Sequence, residues 1–111
     1  MKVSSRSVNE VEIITLQGKI TIGAGDSQLR EVITDALNNG RVNILLDMGG
    51  VTTLDSSGIG ELVGAYTTVT NRGGKLKLLH LPPKVTDLLQ VTQLITVFEV
   101  YENEQEAISS F

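Results

Sequence analysis

Asp55, Ser56 and Ser57 stand consecutively ahead of Gly58 and Gly60, within "TTLDSSGIGEL" at Thr52 to Leu62. An acid followed by two hydroxyls and flexible backbone could serve four kinds of chemistry: a helix cap, an acyl-transfer nucleophile, a phosphate cradle, or an acceptor for covalent modification. Capping is the plainest reading, because Asp and Ser carry side-chain oxygens that accept the orphan amides of a helix start. The nucleophile reading requires a base and a strained Gly-x-Ser-x-Gly turn, whereas here Asp55 and Gly58 flank the serines. The one histidine, His80 in "LKLLHLPP", falls at the end of a later apolar run, with no obvious carboxylate to orient it.

Other chemistries fail on spacing or composition. "GIGELVG", Gly58 to Gly64, places its third glycine wrongly for a dinucleotide fingerprint. In "RGGKLKL" the lysine follows a helix end instead of opening a helix, so no Walker loop is present. With one His and no Cys, no metal set is expected, and nothing calls for a cofactor. Gly60, Gly64 and Ala65 instead suggest a low helix face that another surface could approach closely.

The junction lies between two periodic segments. Before it, "VNILL" (Val42 to Leu46) reads as a buried strand. After it, Ile59, Leu62, Val63, Tyr66 and Val69 repeat with helical spacing until "NRGG" at Asn71 to Gly74. The carboxyl end of a strand and the amino end of a helix is where open α/β sheets place their sites. Upstream, an edge strand near Lys2 to Ser7 pairs with Val11 to Leu16, which ends before Gly18. Leu29, Val32, Ile33, Ala36 and Leu37 predict a helix capped by Asp26 or Ser27 and stopped by "NNG" at Asn38 to Gly40.

Downstream, "KLKLLHL" (Lys75 to Leu81) predicts another strand, and Pro83 opens a short helix through Val91. A last strand is expected over Thr96 to Val100. Asn103 and Glu106 have capping-box spacing for a terminal helix. Alternating strands and helices give an α/β fold with a mixed, mostly parallel sheet of four to five strands and about four helices.

The chain has 111 residues and is 41% hydrophobic, enough for one core, so residues 1–111 are expected to form a single domain. Its formal net charge of −4 and lack of a basic run argue against nucleic acid as a partner. The absence of cysteine, of a signal-like N-terminus and of any membrane-length apolar run leads to the expectation of a cytoplasmic protein that does not insert into membranes.

"LDSSGIGEL", then "NRGGKLKLLHLPPKVTDLLQVTQLITVFEVYENEQEAI", resembles the bacterial anti-sigma factor antagonists, prototypes of the STAS domain. Asp-Ser-Ser-Gly-Ile-Gly at a fixed distance from Gly-Gly-x-Leu is the most specific part, and the likeness runs from "LQGKI" to the terminal helix. It implies a STAS-type domain that is a non-enzymatic protein-binding switch. The implied acceptor of phosphate is Ser56, with Ser57 as the fallback. The implied partners are an anti-sigma factor serine kinase of the histidine-kinase-like ATPase fold and a PP2C-type phosphatase.

The unmodified protein would bind the kinase and free a sigma factor, and phosphorylation would end that binding. The implied docking surface comprises Thr21, Asp55, Ser56, Ser57, Gly58, Ile59, Gly60, Glu61 and Gly64. At the position of Thr21 family members commonly carry an aspartate. Some STAS domains instead act as constitutive scaffold subunits of signalling or transport assemblies, in which Ser56 would be an unmodified helix cap.

Overall fold

The computed structural model describes every residue from Met1 to Phe111. β1 (Lys2–Val8) and β2 (Val11–Ile20) form an antiparallel hairpin with Val8 opposite Val11. Asn9 and Glu10 both take left-handed backbone angles, φ 49° and 67°, the conformation that a tight two-residue hairpin demands. The chain continues through α1 (Gly25–Asn38), β3 (Asn43–Leu54), α2 (Ser56–Asn71) and β4 (Lys75–Leu79). It ends with α3 (Pro83–Val91), a 3-10 turn at Leu94–Thr96, β5 (Val100–Tyr101) and α4 (Glu104–Ser109).

The five strands lie in the order β1-β2-β3-β4-β5, with only the first pair antiparallel. The expected mixed sheet with four helices is thus the observed one. Alternation along each central strand divides the apolar residues between two faces. Ile14, Leu16, Ile44, Leu46, Met48 and Leu78 pack with Leu29, Ile33, Leu62, Val69, Val85 and Leu89, so α1, α2 and α3 cover one face. Val11, Ile13, Leu45 and Leu79 form a smaller cluster with Ala107 of α4 on the other. Full burial of each large aliphatic chain contributes about 1.5–3 kcal/mol, so a one-residue slip of register, which would exchange the two faces, is strongly disfavoured.

Three local expectations are corrected. β2 does not stop before Gly18 but runs to Ile20, and β3 runs beside it to Leu54; irregular register between Thr15 and Gln17 and between Gly18 and Lys19 absorbs the glycine, whose φ is 109°. α1 begins at Gly25 behind Ala24, which makes no side-chain cap, while the Asp26 carboxylate accepts the Ser27 amide inside the first turn. The last strand is only Val100–Tyr101. The apolar residues before it are used for packing: Leu94 and Ile95 lean on the core, and buried Phe98 meets Tyr66 edge to face at 5.4 Å.

Two terminal signals hold. Pro83 opens α3. The Asn103 side chain accepts the Glu106 amide at 3.0 Å to start α4.

Candidate functional site

The strand-to-helix junction is one residue long: β3 ends at Leu54, Asp55 is extended at φ −102° and ψ −175°, and α2 begins at Ser56. That conformation makes Asp55 the N-cap. Asp55 Oδ1 accepts the Gly58 amide at 2.9 Å and Oδ2 accepts the Ile22 amide at 2.9 Å. One carboxylate therefore caps α2 and ties the loop after β2 to it. These bonds, from Ile22 first and Gly58 second, hold the Asp55 carboxyl below its ordinary pKa, because amide donors favour the charged form.

Gly58 explains how the helix comes so close. A Cβ there would lie 2.1 Å from the Ile20 carbonyl oxygen and 2.7 Å from Leu54 Cδ1. Gly25 makes the matching approach from α1, where a Cβ would lie 2.0 Å from the Lys19 carbonyl oxygen. Both helices thus start against the last two residues of β2. Gly58 is buried, which corrects its expected place on the docking surface: it sets the helix against the sheet.

The Ser56 hydroxyl is exposed and Ser57 is half-buried, and neither side chain makes a hydrogen bond. Both serines are therefore free of the capping work that their residue type suggests. Ser56, Gly60 and Gly64 recur at four-residue intervals on one face of α2, all exposed. Added Cβ atoms at Gly60 and Gly64 would meet nothing within 4 Å. Ile59 is half-buried beside them.

Glu61, also half-buried, is bound by Arg30 of α1: the guanidinium Nε lies 3.1 Å and 3.3 Å from its two carboxylate oxygens. That hydrogen bond and the charge of Glu61 raise the Arg30 pKa. The pair closes one end of a shallow α1–α2 groove that Thr34, Gly64 and Thr68 also line.

Thr21 is half-buried, and its carbonyl accepts the Asp26 amide at 3.1 Å. Its neighbour Ile22 is 75% exposed, and no spacing or motif in the sequence marks it. Only the hydrogen bond to Asp55, 33 residues away, reveals that Ile22 stands at the amino-terminal end of α2.

His80 does have a carboxylate beside it, contrary to expectation: its Nδ1 lies 3.3 Å from Asp47 Oδ1. No serine hydroxyl completes that pair into a nucleophilic relay.

The STAS domain family model matches residues 2–107. The chain belongs to the STAS family. Its relatives include the anti-sigma F factor antagonist of Paenibacillus polymyxa, 27% identical over 100 residues that make up 89% of this chain and 85% of that protein.

In fold, this STAS domain resembles the Bacillus cell fate determinant SpoIIAA in its phosphorylated form, with a TM-score of 0.75, 24% identity and 98% of both chains covered. It also resembles a sulfate transporter family protein from Wolinella succinogenes, with a TM-score of 0.78, 21% identity, and 93% of this chain and 85% of that one covered. No helix is long and apolar enough to cross a membrane.

Proposed function

We propose that this STAS domain is an anti-sigma factor antagonist, a non-enzymatic switch that acts in the cytoplasm. Unmodified, it binds an anti-sigma factor that is also a serine kinase of the histidine-kinase-like ATPase fold, and so releases a sigma factor. Phosphorylation at Ser56 ends the binding, and a PP2C-type phosphatase restores it. The observation that carries this reading is the exposed, unbonded Ser56 hydroxyl on a helix already capped by Asp55.

Kinship supports the reading, since a relative aligned over most of both chains is named an anti-sigma F factor antagonist. The physical chemistry is consistent. A phosphate adds about −1.5 to −2 charges at a surface that must shed water to dock, so it opposes association. It also lies at a helix amino terminus, where the dipole favours negative charge and the fold tolerates it.

The test is incubation of the purified protein with its cognate serine kinase and ATP, followed by phosphosite mapping. One phosphate on Ser56 is expected, together with loss of kinase binding. Modification at Ser57 alone would overturn the site assignment. A proven kinase complex that leaves both serines unmodified would favour the constitutive scaffold.

A further inference from the structure

An exposed aliphatic side chain is ordinary on a protein surface. Ile22 is unusual in being exposed and fixed together. Its amide is held by Asp55 Oδ2 at 2.9 Å, and the other oxygen of that carboxylate holds the first turn of α2. The preceding residue, Thr21, accepts the Asp26 amide, so the loop is tied to α1 as well. A side chain presented in this way loses little backbone freedom on binding, which is the main saving of a preorganised contact.

Apart from Asp55, charge is confined to the edges of this neighbourhood, at Lys19, Asp26 and the Arg30–Glu61 pair. Neither Ile20 to Gly25 nor Ser56 to Gly60 contains Lys, Arg, Asp, Glu or His, although 20% of the chain is charged. Asp55 stands between them, and both its carboxylate oxygens are engaged by backbone amides. Centres of protein interfaces are depleted in charge and organised around a few buried side chains.

We infer that Ile22 is the apolar anchor with which this protein docks on its kinase, and that the kinase presents an uncharged, apolar pocket beside its phosphate-transfer site. The inference rests on the switch reading of Ser56 and names the chemistry of the partner. It also explains the force of the switch: a phosphate on Ser56 would bring a dianion to the edge of a contact that excludes water, where desolvation is costly.

The test uses full-length protein and each histidine-kinase-like serine kinase of the source genome, taking forward the one that phosphorylates Ser56. Calorimetry then measures its affinity for wild type, Ile22→Ala, Ile22→Thr and Ile22→Leu, with Val91→Ala as control. Val91 is 82% exposed at the last residue of α3, outside the docking surface.

Both Ile22→Ala and Ile22→Thr should weaken binding by about tenfold or more, the size of an anchor's loss, with the phosphorylation rate at saturating kinase unchanged. Ile22→Leu should stay within about threefold, as an isosteric apolar exchange does. Val91→Ala should match wild type. Wild-type affinity should depend weakly on salt, because screening acts on charges and not on apolar contact.

Ile22→Ala and Ile22→Thr binding like wild type would overturn the anchor while leaving the switch intact. A steep fall of wild-type affinity with salt would overturn the uncharged pocket. Failure of every such kinase to phosphorylate Ser56 would overturn the switch reading itself.

Discussion

Asp55 caps helix α2 and leaves the adjacent Ser56 hydroxyl without a partner. Capping is therefore the work of Asp55, and in the proposed switch phosphate acceptance falls to a different residue, Ser56. Ser56→Ala should leave stability within about 0.5 kcal/mol of wild type, as for a surface change that removes no cap or buried group. It should also bind the kinase persistently. Ser56→Asp should fold equally well and bind more weakly. Thermal melts and titrations of both variants in one buffer check this; equal kinase affinity for wild type, alanine, aspartate and phosphorylated protein would leave Ser56 no role as a switch.

Acid should loosen the junction. The Asp55 carboxyl is held below its ordinary value of 3.8 by the amides of Ile22 and then Gly58. A depressed folded pKa contributes stability above the unfolded value, and that contribution is lost as pH falls through the folded value. Asp55→Asn keeps a capping oxygen but turns an amide donor towards the Ile22 N–H. Its melting temperature should lie below wild type at neutral pH, and the gap should narrow once pH drops below about 3.8. A gap that stays constant into that range would show that the Asp55 charge adds nothing.

Gly58→Ala should be severely destabilising. The new methyl would sit 2.1 Å from the Ile20 carbonyl oxygen, and backbone cannot swing away as a flexible side chain can. Overpacking of this sort costs about 1–3 kcal/mol or more. Denaturant unfolding measures it directly, and a loss below about 0.5 kcal/mol, the ordinary range of surface changes, would mean that α2 can slide along the sheet.

Much of this could be read from the sequence, because period and punctuation are local. The spacing of Leu29, Val32, Ile33, Ala36 and Leu37 locates α1, and Pro83 and Asn103 mark true helix starts. Strand lengths were harder to read: Gly18, Gly49 and Gly50 resemble turn signals, yet irregular pairing of β2 with β3 carries the ladder past them. The choice of cap among Asp55, Ser56 and Ser57 was ambiguous, since all three are good capping types and only backbone angles decide. Ile22 and the Arg30–Glu61 pair were invisible, because each depends on segments 33 and 31 residues apart being brought together.

The carboxyl-terminal helix should depend on one buried cation. Lys77 is 2% exposed; its ammonium donates to the Ser110 carbonyl at 2.8 Å and the Ser110 hydroxyl at 2.9 Å, and lies 4.9 Å from the centre of the Phe111 ring. Lys77→Met keeps most of the apolar stem and removes the ammonium. The expected loss is about 1–3 kcal/mol, the range for a buried polar group left unpaired and for bonds to charged groups. Amide exchange should quicken first in α4, with the α1–α2 side unaffected; uniform quickening over the whole sheet would contradict a local lock.

Stability and partner binding should move in opposite directions at Gly60 and Gly64. Both lie inside α2, and a Cβ at either would point into open space, so alanine meets no clash in the free protein. Alanine in a helix interior is favoured over glycine by about 0.5–1 kcal/mol, chiefly because the unfolded chain has less freedom to lose. Gly60→Ala with Gly64→Ala should therefore raise stability by about 1–2 kcal/mol, if the two changes add. The same methyls would protrude from the low face that begins at Ser56, which the kinase approaches closely in the proposed complex. Kinase affinity should fall even though the fold is firmer. Unfolding curves and titration of the double variant give the two signs independently, and a stabilised protein that binds the kinase like wild type would place this face of α2 outside the interface.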